Sequence, residues 1–192
     1  MNKIQEILDF WFEGIDDHTL IDKNNLPFKK WFARNFPFDQ EVREKFEQDL
    51  QSAKEGQCKS WEDSPSGCLA LILLFDQFSR NLFRDSPRAF ACDPLALKLA
   101  QEMVKEGRDK ELPLIYRVFV YMPFMHAEDL LAQEKGVECF EKLVEESKKE
   151  NPQNTHYFEY NLYYCRKHCD IIKQFGRFPD RDTILNRDQK II

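Results

Sequence analysis

Residues 71–90, LILLFDQFSRNLFRDSPRAF, begin as an unbroken apolar run and then become charged. The charged residues follow at four-residue steps, one acid and then three arginines: Asp76, Arg80, Arg84 and Arg88. Because an α-helix turns by about 100° per residue, side chains four positions apart lie on nearly the same face. The segment therefore predicts a helix that enters the core apolar all round and leaves it with a polar face.

Helical patterns also occupy the rest of the chain. Apolar side chains recur at three- and four-residue steps in residues 4–11, and Ser64-Pro65 is typical of a helix N-terminus. Asp93-Pro94 predicts another start, and a long helix is predicted from Thr155 to Phe175 with Gly176 at its end. The chain shows no convincing β alternation, so an all-α fold is expected.

Three further signals set the expected helix boundaries. Asp39 is predicted to cap the helix that follows it. A further helix is predicted to begin after Pro113, with Pro123 kinking or breaking it. Helices joined by short links pack mostly against antiparallel neighbours. We expect an array of antiparallel helices in a single compact domain spanning residues 1–192.

Composition and charge exclude several classes of function. With 28 basic and 34 acidic residues the formal net charge is -6, which argues against a nucleic-acid partner. The longest apolar run, residues 69–75, is far shorter than the roughly 20 residues of a membrane helix. The six cysteines lack Cys-x-x-Cys spacing and the N-terminus lacks a signal-peptide pattern, so reduced, buried cysteines and a cytoplasmic location are expected. No Gly-rich phosphate loop is present, and no cofactor is predicted.

The charges of residues 71–90 have two interpretations. Asp76 and Arg80 are one helical turn apart and are predicted to form a partly buried pair. Arg84 and Arg88 have no acid of their own at helical spacing. In the structural interpretation, these charges pin neighbouring helices together. In the functional one, unpaired guanidinium groups line a cleft and bind a carboxylate or phosphate.

Two histidines lie on apolar helical stripes. His126 shares its stripe with Asp129, whereas Glu128 is expected to face water, and His168 lies among large apolar side chains. Such a histidine is usually a hydrogen-bonded core residue. The alternative is that His126, Asp129 and His168 form a set of acid-base groups.

A charged loop follows the last long helix. It follows Gly176, contains Arg177, Asp180, Arg181 and Asp182, and is expected to be constrained by Pro179 and held down by Phe178. A loop of this kind either closes over a site, where Arg177 and Arg181 would bind a ligand, or is a solvated tail.

A metal site and a cysteine nucleophile are both disfavoured. The chain has no HExxH motif, and His126 with Asp129 is the one metal-ligand pairing found on a single helix. Cys165 and Cys169 flank His168, but they supply too few ligands for structural zinc. Nothing obvious activates the Cys165 thiol beside His168. No metal ligand is assigned.

Four motifs follow one another along the chain: ILDFWF at residues 7–12, LALILLFDQFSRNLFRDSPRAFACDPLAL at 69–97, RVFVYMPFMHAEDL at 117–130 and HCDIIKQFGRFPDRDTIL at 168–185. Together they resemble the family called domain of unknown function 924, over residues 7–187. The resemblance implies an all-helical, tetratricopeptide-like fold that occurs widely in bacteria, and it implies no reaction.

The family pattern points to particular positions. It matches this chain at Asp76, Gln77, Phe78, Arg80 and Asn81, at residues 87–90, at Met125, His126, Glu128 and Asp129, and at residues 176–179. The chain departs from the pattern at four positions, with Ser79 for proline, Asp85 for glycine, and Asp180 and Asp182 for histidine and asparagine. The missing histidine argues against a mechanism that depends on it, metal binding above all.

Two functions follow as hypotheses. In the first, a polar pocket containing Asp76 and the arginines of the motifs binds a small anionic ligand, with His126 and Asp129 as acid-base groups. In the second, the protein is a non-catalytic, tetratricopeptide-like module for a protein or peptide partner. A purely structural role for the charges is the third interpretation, and the oligomeric state is left open.

Overall fold

The computed structural model describes residues 2–22 and 26–187, and within them it contains helices and turns but no β-strand. The predicted all-α class is confirmed. The helices are α1 (Lys3–Phe12), α2 (Leu26–Phe32), α3 (Phe36–Lys54), α4 (Pro65–Ile72), α5 (Ser79–Leu82), α6 (Asp93–Glu106), α7 (Leu114–His126), α8 (Leu130–Glu150) and α9 (Thr155–Phe175). A π-helical turn, Leu73–Phe78, joins α4 to α5.

The helix formed by α4, the π turn and α5 is buried on all sides for most of its length. Ser64 caps its start by accepting a hydrogen bond of 3.1 Å from the Gly67 amide, as its sequence predicts. Residues 67–79 are all buried, and exposure returns at Arg80. In the π turn the Ser79 amide donates to the Leu74 carbonyl, five residues earlier, so this turn is wider than an α turn. The predicted change from an apolar to a polar helix is confirmed.

The centre of the core is aromatic. The ring centroids of Trp11 and Phe78 are 5.4 Å apart, and those of Trp11 and Phe119 are 5.6 Å apart in an edge-to-face arrangement. Phe46 adds a further contact with Phe78 at 5.0 Å. Each such pair contributes about 0.5–1.5 kcal/mol beyond the burial of its surface. These contacts tie α1, α3, the π turn and α7 together around one hydrophobic cluster.

Helices α8 and α9 pack as an antiparallel pair. Ser147, near the end of α8, lies 3.4 Å from Thr155 at the start of α9. Earlier in α8, Glu141 forms an ion pair of 2.8 Å with Arg166, which lies later in α9. The end of α8 thus contacts the start of α9, and an earlier residue of α8 contacts a later residue of α9. This is the antiparallel arrangement expected for neighbouring helices joined by a short link.

The start of α3 differs from the prediction. The helix begins at Phe36, and the side chain of Asn35 caps it by accepting a hydrogen bond of 3.3 Å from the Phe38 amide. The predicted cap at Asp39 is wrong, because that residue lies inside the helix and its carboxylate binds Arg84.

The break expected at Pro123 is also displaced. Helix α7 continues through Pro123 to His126, although proline removes one helical hydrogen bond. Residues 117–125 are all buried, so packing holds this segment helical. The chain leaves the helix at Ala127, and Asp129 caps the start of α8.

All six cysteines are buried and unpaired, as predicted. Within the part of the chain that the structure describes, no helix has the length and apolar character needed to span a bilayer. The assignment of residues 1–192 to one domain, the tetratricopeptide-like arrangement and the cytoplasmic location stay predictions.

Candidate functional site

Asp76 is the centre of a polar cluster inside the core. Its side chain is 0% exposed, and Oδ1 lies 2.7 Å from Nδ1 of His126 and 3.1 Å from Nη1 of Arg80. The other oxygen, Oδ2, accepts a hydrogen bond from the Gln77 amide group. A buried carboxylate requires such partners, because an unpaired charge in the interior is very costly. The predicted Asp76–Arg80 pair is confirmed.

Arg80 joins Asp76 to a second acid, Asp93, at the start of α6. Nη1 and Nη2 of Arg80 donate to the two carboxylate oxygens of Asp93, at 3.0 and 3.1 Å. Nη1 also donates to the backbone carbonyl of Asp76, at 2.5 Å. The bidentate geometry fixes the guanidinium plane. Asp93 was not predicted as a site residue, because its Asp-Pro sequence indicates only a helix start.

Arg181 brings the segment after α9 onto the same cluster. Its guanidinium donates to Asp93 at 3.4 Å and to the backbone carbonyl of His126 at 3.1 Å. The guanidinium carbon lies 4.5 Å from the ring centroid of Phe90 and 4.4 Å from that of Phe178. Arg181 is therefore held by an acid, a carbonyl and two aromatic rings, so this part of the segment is packed on the site rather than solvated.

The pKa values of the two acids of the cluster shift in opposite directions. Burial favours the neutral form of Asp76, but the charge of Arg80 and the hydrogen bond from His126 outweigh it and lower the pKa of Asp76 to about 2. Burial raises the pKa of Asp93, and Arg80 offsets only part of that effect. Asp76 is consequently ionised at neutral pH and accepts the hydrogen bond from His126.

His126 is a neutral base oriented by this carboxylate. Burial lowers its pKa, although Asp76 acts in the opposite direction. In the neutral imidazole one ring nitrogen carries the proton and the other accepts. Because Nδ1 faces the ionised Asp76, Nδ1 carries the proton and Nε2 is left as the acceptor.

His168 lies beside His126, with ring centroids 6.3 Å apart. Its Nδ1 is 2.9 Å from the backbone carbonyl of Met125. A carbonyl only accepts, so Nδ1 is again the protonated nitrogen. Burial lowers the pKa of His168 as well. No hydrogen bond from the described residues reaches Nε2 of either histidine.

Both histidines line a cleft of about 330 Å³. Its walls come from α2, the π turn, α5, α7 and α9, and its lining residues are Trp31, Phe32, Gln77, Arg80, Met122, Met125, His126, Tyr160, Asn161, Tyr164 and His168. A second cleft of about 360 Å³ shares His126 with the first and is also lined by Asp93 and Arg181. The distant motifs that contain Arg80, His126 and His168 thus meet at one concave surface.

The other arginines of the sequence interpretation lie outside this arrangement. Arg84 binds Asp39 of α3 through two hydrogen bonds, 2.7 and 2.6 Å, so the expectation that it lacks an acidic partner is wrong. Helical spacing within one segment does not reveal a partner on another helix. Arg88 is exposed, with its guanidinium carbon 3.7 Å from the ring centroid of Phe83.

Arg177 is also engaged elsewhere. Its Nε donates to both carboxylate oxygens of Asp182, at 3.0 and 3.1 Å. Asp182 is 3% exposed and also lies 3.9 Å from Arg187. This acid, at a position where the family resemblance leads us to expect asparagine, therefore holds the segment after α9 through two arginines.

Two acids of the MHAED motif have other partners than expected. Asp129 does not share a helical stripe with His126, because α7 ends at His126. Its Oδ1 instead accepts a hydrogen bond of 2.7 Å from the Ala132 amide and caps α8. Glu128 was expected to face water, but it is half-buried and accepts from the Phe178 amide at 2.9 Å and from Arg187 at 2.7 Å.

The residues present do not point to metal or thiolate chemistry. Among the side chains that the structure describes, no group of three or more His, Cys, Asp and Glu residues is arranged to hold a metal ion. Burial raises the pKa of the Cys165 thiol to about 12, which leaves it protonated and unreactive at neutral pH.

These features define an all-α protein in which a buried ionic cluster orients a histidine at a cleft. The chain belongs to the DUF924 family, described as bacterial proteins of unknown function, and the family model matches residues 7–190. The solved structure of a protein of unknown function from Agrobacterium tumefaciens is similar, with 32% sequence identity and a TM-score of 0.77. That similarity covers 97% of this chain and 91% of the other. A comparison with curated proteins gives no match.

Proposed function

We propose that this protein binds a small anionic molecule in the 330 Å³ cleft and that His126 exchanges a proton with it. The observation that carries the proposal is the 2.7 Å contact between Nδ1 of His126 and the buried carboxylate of Asp76. A carboxylate in this position fixes the imidazole tautomer, stabilises the imidazolium that forms on proton uptake, and leaves Nε2 as the base.

The donors of Arg80 support an anionic ligand. A guanidinium group has five N–H donors. The hydrogen bonds of Arg80 to Asp76 and Asp93 come from Nη1 and Nη2, which leaves Nε–H and one Nη2–H without an acceptor among the described residues. Arg80 lines the cleft, so these donors favour a carboxylate or phosphate there.

The proposal assigns ligand binding to fewer residues than the sequence hypothesis does. Arg84 and Arg177 have carboxylate partners of their own, and Asp129 caps a helix. Ligand binding in the proposed site therefore depends on Arg80 and on the Nε2 atoms of His126 and His168. The ligand's charge is balanced by protonation of an imidazole rather than by a surplus of arginines.

A protein-interaction module is the alternative function. Three tyrosines on α9 are exposed to between 38% and 53%, namely Tyr160, Tyr163 and Tyr164. Exposed aromatic side chains are enriched at protein–protein interfaces. Binding of small acids at the histidines would favour the first function. Binding of a protein or peptide alone would favour the second.

The test is a titration of the protein with acetate and with inorganic phosphate, followed by the NMR signals of the histidine side chains. We expect saturable shifts of the His126 signals and an increase in the pKa of His126, because a bound anion stabilises the imidazolium. His126→Asn retains an N–H donor toward Asp76 but lacks Nε2, and we expect it to bind about tenfold more weakly or worse.

The matched control is His156→Asn, which changes an exposed histidine on α9 outside the cleft and is expected to bind as the unmodified protein does. If neither acid shifts the His126 signals, or if both asparagine variants bind equally well, the proposed function is wrong.

A further inference from the structure

The cleft beside His126 has an aromatic side as well as a polar one. Trp31 and Phe32 reach it from α2, and Tyr160 and Tyr164 reach it from α9. The polar cluster of Asp76 uses none of these four rings. Binding of a small anion alone would not use these rings. They therefore favour a ligand that has an apolar or aromatic part in addition to an acidic group.

Three of these rings are neighbours with uncovered surface. The ring centroids of Phe32 and Tyr160 are 6.5 Å apart, and those of Tyr160 and Tyr164 are 4.7 Å apart. Phe32, Tyr160 and Tyr164 are exposed by 37%, 38% and 39%. Aromatic rings at such separations attract a further ring in stacked or edge-to-face geometry. Together they form a surface on which a planar group of a ligand packs favourably.

The cleft is large enough for a ring and an acidic group together. An apolar cavity of about 150 Å³ is sufficient to bind benzene. The cleft measures about 330 Å³, and the same walls that carry the aromatic rings carry Arg80, His126 and His168. A ligand ring therefore fills only part of the cleft, and the remaining volume lies beside Arg80, His126 and His168.

We infer that the ligand of this cleft is an aromatic acid, a single ring that bears a carboxylate or phosphate one or two bonds away. The ring packs against Phe32, Tyr160 and Tyr164, and the acidic group binds at Arg80 with Nε2 of His126 as its proton-exchanging neighbour. This inference rests on the function proposed above and adds the class of ligand.

The affinities of two matched pairs test the inference, acetate with phenylacetate and inorganic phosphate with phenyl phosphate. Burial of one ring is expected to tighten binding by about tenfold or more in each pair. Phenylacetamide, which keeps the ring and loses the charge, is expected to bind at least about tenfold more weakly than phenylacetate. The pair with the tighter aromatic member identifies carboxylate or phosphate as the acidic group.

Variants of neighbouring tyrosines on α9 give the matched control. Tyr164→Ala removes a ring that lines the cleft, and we expect it to abolish most of the gain in affinity from acetate to phenylacetate. Tyr163→Ala removes a ring that is 53% exposed, lies under Lys167 and does not line the cleft. We expect this variant to keep the full preference for phenylacetate.

The outcomes separate the inference from the proposed function. Equal affinities for acetate and phenylacetate overturn the aromatic acid and leave the anion site in place. Equal affinities for phenylacetamide and phenylacetate overturn the anion site and leave the aromatic one. If no compound binds, both fail, and if Tyr163→Ala lowers the preference as much as Tyr164→Ala does, the ring does not occupy this cleft.

Discussion

Nδ1 of His126 lies 2.7 Å from the carboxylate of Asp76, although the two residues are 50 positions apart in the sequence. The contact joins the π turn Leu73–Phe78 to the last residue of α7. Arg80 binds the same carboxylate, so the buried charge is compensated before any ligand arrives. The pair therefore holds the π turn against the end of α7, and under the proposed function it also orients the base that faces the cleft.

Replacement of Arg80 by alanine is expected to destabilise the protein strongly. The variant leaves the buried carboxylate of Asp76 without its main cation and removes the bidentate partner of Asp93. Breaking a buried ion pair in this way costs about 3–5 kcal/mol. Urea unfolding at pH 7 measures the loss. The control is Arg88→Ala, an exposed arginine of the same motif whose guanidinium lies over the ring of Phe83, for which a loss of at most about 1 kcal/mol is expected. Equal stabilities of the two variants would contradict a structural role for Arg80.

Two substitutions of His126 separate its hydrogen bond from its basicity. His126→Asn keeps an N–H donor near Asp76, whereas His126→Leu leaves Oδ1 of Asp76 without that donor. The leucine variant is expected to lose about 1–3 kcal/mol of stability, because a buried ionised carboxylate loses its shortest hydrogen bond on Oδ1 and keeps only the 3.1 Å contact with Arg80 there. The asparagine variant is expected to lose clearly less. Denaturant unfolding gives both values, and a leucine variant as stable as the asparagine variant would show that the contact contributes little.

The protein is expected to lose stability as the pH falls below about 6.5. Burial lowers the pKa of both His126 and His168 in the folded state, so the unfolded chain takes up protons first. Proton uptake by the unfolded state favours unfolding, by at most about 1.4 kcal/mol per pH unit for each histidine. Asp76 adds nothing in this window, because its stabilisation is lost only as the pH falls from its ordinary pKa of 3.8 toward about 2.

Urea unfolding at pH 5, 6, 7 and 8 measures this dependence. The double variant His126→Asn, His168→Asn removes both titrating groups and keeps an N–H donor at each Nδ1 position. Its stability is expected to change less between pH 7 and pH 5 than that of the unmodified protein. A double variant with the same slope would assign the pH dependence to other residues.

Replacement of Asp85 by glycine is expected to stabilise the protein. Asp85 has a φ of +61°, a left-handed conformation that costs an ordinary residue about 1–2 kcal/mol. The resemblance to the family leads us to expect glycine there. The ion pair of Asp85 with Arg34 is more than half exposed on both sides and contributes little. We expect a gain of about 0.5–1 kcal/mol, measured by thermal or urea unfolding. Asp85→Ala serves as the control and is expected to be less stable than Asp85→Gly.

Local features of the fold and site were predictable from the sequence. The cap at Ser64, the end of α9 at Gly176 and the Asp76–Arg80 pair all depend on residues within about one helical turn. Interactions of this kind can be recognised from the spacing of residue types along the sequence. The same logic identified His126 and His168 as unusual residues on apolar stripes.

Long-range partners were not predictable in this way. The Arg84–Asp39 pair, the Arg80–Asp93 pair and the contact of His168 with the Met125 carbonyl join different elements, so no spacing within one element reports them. The expected stripe of His126 and Asp129 failed because a break between α7 and α8 separates them. Four ordered motifs indicated the family, but not which of their charged side chains meet.

The π turn at Leu73–Phe78 determines the direction in which each later side chain of the same helix points. A π turn absorbs one additional residue, so winding the same residues as an ordinary α-helix would rotate the downstream side chains by about 100°. Arg80 would then point away from Asp93 while every residue of its motif remained present. The position of Arg80 relative to Asp93 therefore depends on the helical geometry of this turn as well as on the identity of the two side chains.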